Sequence, residues 1–113
     1  MSRPLAYITA DFDYWEDNRF NKAREFCRDV YNAGYSPICP FLFHRGLIDL
    51  EDSEEYEEGR KMANELLRRG RILVVCGVGK PAEVREDIAL AKRLQIPVTT
   101  FSGILEFDEC EDD

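Results

Sequence analysis

The stretch RILVVCG, residues 71–77, constrains this chain more than any other segment. It is apolar almost without interruption, so both faces of the strand it forms must be covered. Strands of that kind belong to parallel sheets sandwiched between helices. The flanking sequence supplies both helices and further strands.

PLAYITA (4–10) is a partly β-branched run of strand length, followed by a polar and aromatic loop, DFDYWEDN. From Phe20 the spacing turns helical, with Phe20, Ala23, Cys27, Val30 and Tyr31 recurring at every third or fourth position. Gly34 is placed to end that helix as its C′ residue. YSPICP supplies a second strand, stopped by Pro40. FLFHRGLIDLED (41–52) reads as a loop, long for a compact domain and therefore of functional interest. Asp52 with Glu55, or Ser53, then caps a helix running to Arg69. Its inward residues are expected to be Tyr56, Met62, Ala63, Leu66 and Leu67, with Gly70 closing it. Past the third strand, Pro81 suits the first turn of a helix ending near Leu94. IPVTTF forms the last strand.

Strand and helix thus alternate from end to end, β-α-β-α-β-α-β. Right-handed crossovers convert this order into an α/β fold, a small doubly wound Rossmann- or flavodoxin-like parallel sheet of about four strands. The strand order is expected to be 2-1-3-4, with helices on both faces and the switch point between strands 1 and 3.

Charge and cysteine content narrow the chemistry. The total is −8, but the C-terminal EFDECEDD (106–113) holds six acids and no base, so residues 1–105 carry −2. Residues 1–105 read as a single domain and 106–113 as a solvated acidic tail. DLEDSEEYEE (49–58) is a second acidic block, and Glu54, Glu55, Glu57 and Glu58 read as a solvated helix face. Neither block suits a phosphate backbone, which excludes a nucleic-acid polymer as partner. No apolar run approaches the ~20 residues that span a bilayer, and MSRPLAYITA lacks a signal-peptide pattern, so no membrane is expected and a cytoplasmic location is. The cysteines are scattered without a C-x-x-C pair, which argues against zinc. Cys27, Cys39 and Cys76 read as small buried hydrophobes. The reading calls for no metal or cofactor.

In such sheets ligands bind beyond the carboxyl ends of the strands, at the switch point. That rule selects Asp11 to Asn18, Phe41 to Arg45 and Gly77 to Pro81. In the first loop Phe12, Tyr14 and Trp15 alternate with acids, among them Asp11. The rings either stack on a base or sugar or pack onto the first helix. CGVGKPAE is not a Walker A loop, and GVGKPA matches G-x-G-x-x-A only superficially. Gly77 and Gly79 either let an anion approach the helix N-terminus or form a tight turn. His44, the single histidine, is a general acid, a ligand contact or a structural residue. On the helix AEVREDIALA, at roughly 100° per residue, Val84, Ile88, Ala91 and Leu94 define an apolar arc. Asp87 falls inside it, facing the sheet beside the expected crevice. A carboxylate there must be paired or shifted in pKa, whether it serves function or only structure.

AYITADF, RFNKAREFCRDVYNAGYSPICPFLF, RILVVCG and EVREDIALAKRLQIPV, in that order, resemble the nucleoside 2-deoxyribosyltransferase-like superfamily. The nearest likeness is to its small bacterial and phage DUF4406-type domains, and it spans about Leu5 to Phe101. In the transferases a glutamate on the helix after the third strand attacks the anomeric carbon of the sugar. The family segment, approximately G-M-x-x-E-[IL]-x-x-A, lies over EVREDIALA and puts the nucleophile at Asp87, one methylene shorter. Its Gly-Met pair becomes Glu83-Val84. Tyr7 matches the tyrosine that supports the nucleophile, and Asn21 and Gly34 fit the first helix. Ala10-Asp11 replaces a Gly-Pro, and Pro81 stands where an acid assists the departing base.

The resemblance implies a small-molecule partner, a nucleoside or nucleotide, held by Asp11, Phe12, Trp15, His44, Gly77 and Gly79. Asp87 and Tyr7 would be the catalytic pair, acting on an N-glycosidic bond. It also implies a homo-oligomer, because the transferases complete each site with a neighbouring subunit. The rivals are a binding module without turnover and a scaffold whose acidic tail recruits a basic partner. An enzyme requires Asp87 open to a cleft and near Tyr7, whereas a scaffold tolerates Asp87 sealed by a salt bridge.

Overall fold

The computed structural model describes residues 3–44, 46–77 and 79–104. The acidic segment 106–113, Cys110 and Arg45 lie outside the described residues. Four strands, β1 (Leu5–Ala10), β2 (Ser36–Ile38), β3 (Ile72–Cys76) and β4 (Val98–Thr100), form one sheet in the order β2-β1-β3-β4. Every pairing is parallel, as the unbroken apolar run of β3 requires. The register sets Tyr7 beside Leu73 and Thr9 beside Val75.

The pleat of β1 sorts its residues between two layers. Ala6 and Ile8 face α1 (Arg19–Asn32), where they pack with Ala23, Phe26, Val30 and Val74. Tyr7 faces the other way, into a cluster with Ala63, Leu67, Leu73, Leu90 and Ala91. That second layer consists of α3 (Ser53–Arg68) and α4 (Ala82–Arg93), which follow a short helix, α2 (Pro40–His44). The expected order and two-sided cover are therefore both present.

Local signals explain most boundaries. The side chain of Asp52 accepts the Glu54 N–H at 2.9 Å and starts α3, while the Glu55 carboxylate reaches back to the Asp49 N–H at 2.9 Å. Gly34, at φ +101°, ends α1 in the left-handed region. The Leu94 N–H donates to the Leu90 carbonyl at 3.0 Å and closes the last turn of α4, and Gln95 takes the left-handed turn at φ +60°.

Four expectations need correction. Phe12–Asn18 is a 3-10 segment kinked at Glu16 rather than an open loop. The segment read as a loop from Phe41 begins as α2, because Pro40 both ends β2 and opens a helix, where its missing N–H costs nothing. Met62, expected inward, is exposed, as is Tyr31, over whose ring the Arg3 guanidinium stacks at 4.1 Å. Cys39 and Cys76 are buried free thiols, whereas Cys27 is only half-buried.

Leu67 is fully buried between α3 and the sheet. Leu67→Ala should lower unfolding free energy by about 2–5 kcal/mol, through lost transfer energy and the cavity left behind. Urea denaturation of the two proteins measures the difference.

Candidate functional site

Beyond the carboxyl end of β1, lined by residues of α2, α3 and α4, lies a cleft of about 350 Å³. Its floor comes from the strand residues that point away from α1. Tyr7 and Thr9 are both buried and sit on the same face, and Asp11 follows where the strand ends. Phe12 and Phe41 stack at 4.4 Å to make one wall, backed by Phe20 at 5.0 Å from Phe41. Tyr56, Arg60 and Asp87 make the opposite wall, from α3 and α4.

Asp87 is 3 % exposed and is held from two sides. The Thr9 hydroxyl donates to its Oδ2 at 2.8 Å, and the Arg60 guanidinium donates to its Oδ1 at 3.0 Å. Burial pushes the carboxyl above the ordinary aspartate value, while the Thr9 hydrogen bond and the Arg60 charge pull it back. Arg60 also meets Glu86 at 3.5 Å and Glu83 at 3.9 Å. Glu83 in turn accepts from the Tyr56 hydroxyl at 2.8 Å. Burial, then that bond to Glu83, pushes the Tyr56 phenol up to about 12. Tyr7 is shifted upward by burial and by the nearby Asp87 charge, but no hydrogen bond joins Tyr7 to Asp87 among the described residues.

His44 closes the end of the cleft and is 8 % exposed. Its Nε2 is buried without a hydrogen-bond partner. Burial and the Arg60 charge lower its pKa, so the imidazole is neutral at neutral pH. Room for it comes from Gly59, in the middle of α3. A Cβ there would come within 2.6 Å of Ile48 Cδ1 and 3.7 Å of His44 Nδ1. The missing side chain lets the segment after α2 lie directly on the helix backbone.

The expected site residues divide between two hollows. Tyr7, Asp11, Phe12, His44 and Asp87 share the cleft. Trp15, Gly77 and Gly79 instead line a shallower hollow of about 510 Å³ on the α1 side, with Lys22 and Lys80. Trp15 packs edge-on against Phe26 of α1 at 5.5 Å, the packing alternative for that loop. Gly77, at φ +72°, lies so close to the indole that a Cβ would enter the ring. Asp11 stands between the hollows, with Oδ2 3.5 Å from where a Cβ of Gly79 would be. Among the described residues no cluster of His, Cys, Asp or Glu is arranged to hold a metal ion, and no helix is long and apolar enough to cross a membrane.

Sequence reasoning missed Thr9 and Arg60. Both carried a signal. Thr9 is a polar residue on the strand face that otherwise meets apolar helices. Arg60 lies with Tyr56, Ala63 and Leu67 on the inward stripe of α3, the same anomaly that marked Asp87 on α4.

A family model described as "Domain of unknown function (DUF7768)" matches residues 4–101, which takes in every element of the cleft. No curated protein matches the sequence.

The Arg60–Asp87 contact predicts two behaviours. Arg60→Ala strands a buried carboxylate and should cost about 3–5 kcal/mol, part of which Asp87→Asn recovers when added to it. The second concerns pH. With its folded-state pKa raised, Asp87 holds its proton more tightly in the native state than in the unfolded chain. Its contribution to stability therefore falls as pH rises through the interval between the unfolded and folded values, and returns on acidification. Wild type should gain on Asp87→Asn as pH drops through that interval, measured by denaturation at several pH values. A flat or opposite difference contradicts the assignment.

Proposed function

Because the chain belongs to the DUF7768 family, whose description carries no activity, its chemistry is read from the cleft: we propose that it binds a nucleoside or nucleotide, in the manner of a deoxyribosyltransferase-type domain. The observation that carries this reading is the meeting of stacked rings with carboxylates in one cleft. Phe12 and Phe41 offer a flat apolar wall to a heterocycle. Asp11 and Asp87 offer oxygens that only accept hydrogen bonds, the complement of sugar hydroxyls. A volume of about 350 Å³ lies within the range of small-molecule pockets. A cytoplasmic protein acting on a diffusible small molecule fits this reading.

Turnover is the second reading, favoured by Asp87 lining the cleft rather than lying behind it. A carboxylate oxygen would bond to the anomeric carbon as the carbon–nitrogen bond breaks, its electron pair leaving with the base. Water would then displace the carboxylate, giving its hydroxyl to the sugar and its proton to the base. The contacts of Asp87 weigh toward binding alone. Each oxygen already accepts a hydrogen bond, and Arg60 neutralises the charge that a nucleophile would use.

Thermal denaturation and calorimetry with deoxynucleosides, ribonucleosides and their monophosphates test the binding reading. A ligand present at 100 times its Kd should add about 2.7 kcal/mol of stability, and Phe12→Ala should weaken it. No shift with any member would refute the assignment. Chromatographic assay for free base tests turnover: base release that persists in Asp87→Ala removes the nucleophile role.

A further inference from the structure

The charge around the cleft is one-sided. Among the described residues its lining holds four carboxylates, those of Asp11, Asp13, Glu83 and Asp87, against the single guanidinium of Arg60. That guanidinium is already committed to Asp87 at 3.0 Å, with Glu86 and Glu83 within 4 Å. Asp13 has only a loose contact with Arg19, at 3.7 Å, and Asp11 makes no ion pair among the described residues. His44 adds no positive charge at neutral pH, because burial keeps it neutral.

Two further features bear on what would fill this space. Phe12 and Phe41, stacked on one another at 4.4 Å, also line this space and add aromatic surface beside the carboxylates. His44, more than nine-tenths buried in the lining, keeps its Nε2 without a partner. That nitrogen is itself sealed from solvent, so an incoming ligand meets the carboxylates and the aromatic surface, which together suit a flat cation.

We propose that the cleft selects nucleoside-like ligands whose heterocycle carries a fixed positive charge, such as N-glycosides of a quaternised pyridine or of an N7-alkylated purine, over neutral and phosphorylated counterparts. This selection rests on the nucleoside reading above and specifies its ligand. Carboxylates beside the ring lower the potential where the cation sits and raise the cost of bringing a phosphate there.

Matched ligands isolate the charge. Calorimetric titration of the full chain with N7-methylguanosine, guanosine and guanosine monophosphate, in mildly acidic buffer where the alkylated ring keeps its charge, compares near-identical shapes. The cation should bind about tenfold more tightly than guanosine, and the monophosphate more weakly than both. In Asp13→Asn, which alters an exposed carboxylate of the lining, the preference should shrink while guanosine binding persists. Equal or tighter binding of guanosine or of the monophosphate overturns the charge selection and leaves the nucleoside reading standing. A preference unchanged in Asp13→Asn overturns it as well. Binding of none of the three to wild type, repeated with nicotinamide riboside and its reduced neutral form, overturns both.

Discussion

The Arg60–Asp87 ion pair, 3.0 Å across the seam between α3 and α4, is the contact around which the site is organised. Each helix turns an otherwise apolar stripe toward the sheet and interrupts it with one charge, and the two charges meet. Thr9 completes the arrangement from the strand beneath. Desolvating such a pair offsets most of its Coulombic gain, and apolar residues of similar volume would hold two helices as well or better. The pair is thus a poor device for stability. What it provides is a fixed carboxylate at the inner end of a cleft, oriented by a neutral donor on one oxygen and a cationic donor on the other.

The layering makes that position available. On β1, alternate residues serve two separate cores: Ala6 and Ile8 fill the space under α1, while Tyr7 and Thr9 face α3 and α4. The helices cover the sheet fully at Leu67 and Leu73, and the cleft opens at the carboxyl end of β1. There β1 sends its chain into the Phe12–Asn18 segment and Pro40 starts α2. The aromatic residues then divide the crevice. Phe12 and Phe41 stack over one side of the β1 end, and Trp15 fills the other against Phe26 and Gly77. A crevice expected as one space is two, with Asp11 on the ridge between them.

Much of this was legible in the sequence because the fold depends on patterns with fixed periods. A short continuous apolar run rich in β-branched residues fits a doubly covered strand, and three helical periods between strands leave few ways to wind them. Asp87 was legible for the same reason, as a charge on the wrong arc. Arg60 breaks its stripe in the same way, yet it sits in a helix crowded with acids, where one more charge draws no notice. Thr9 is a common residue in strands, and only the side it faces gives it meaning. Residues 41–44 of the segment read as a loop were misread because proline carries opposite messages, ending a strand and opening a helix. Trp15 could not be assigned either, since its partners Phe26 and Gly77 lie 11 and 62 positions away in sequence, as their numbering gives.

Gly59 sets a dimension of the cleft that no polar group controls. Glycine inside a helix forfeits roughly 1 kcal/mol of propensity relative to alanine, and here the vacated space seats Ile48 and brings His44 close to the α3 backbone. The His44 end of the cleft therefore packs on the main chain of α3, with Gly59 itself in the lining. A bulkier residue at 59 would displace the Ile48 side chain first, while leaving Arg60, Asp87 and Thr9 chemically unchanged. Room at the His44 end and charge at the Asp87 end are thus set by separate residues of the same fold.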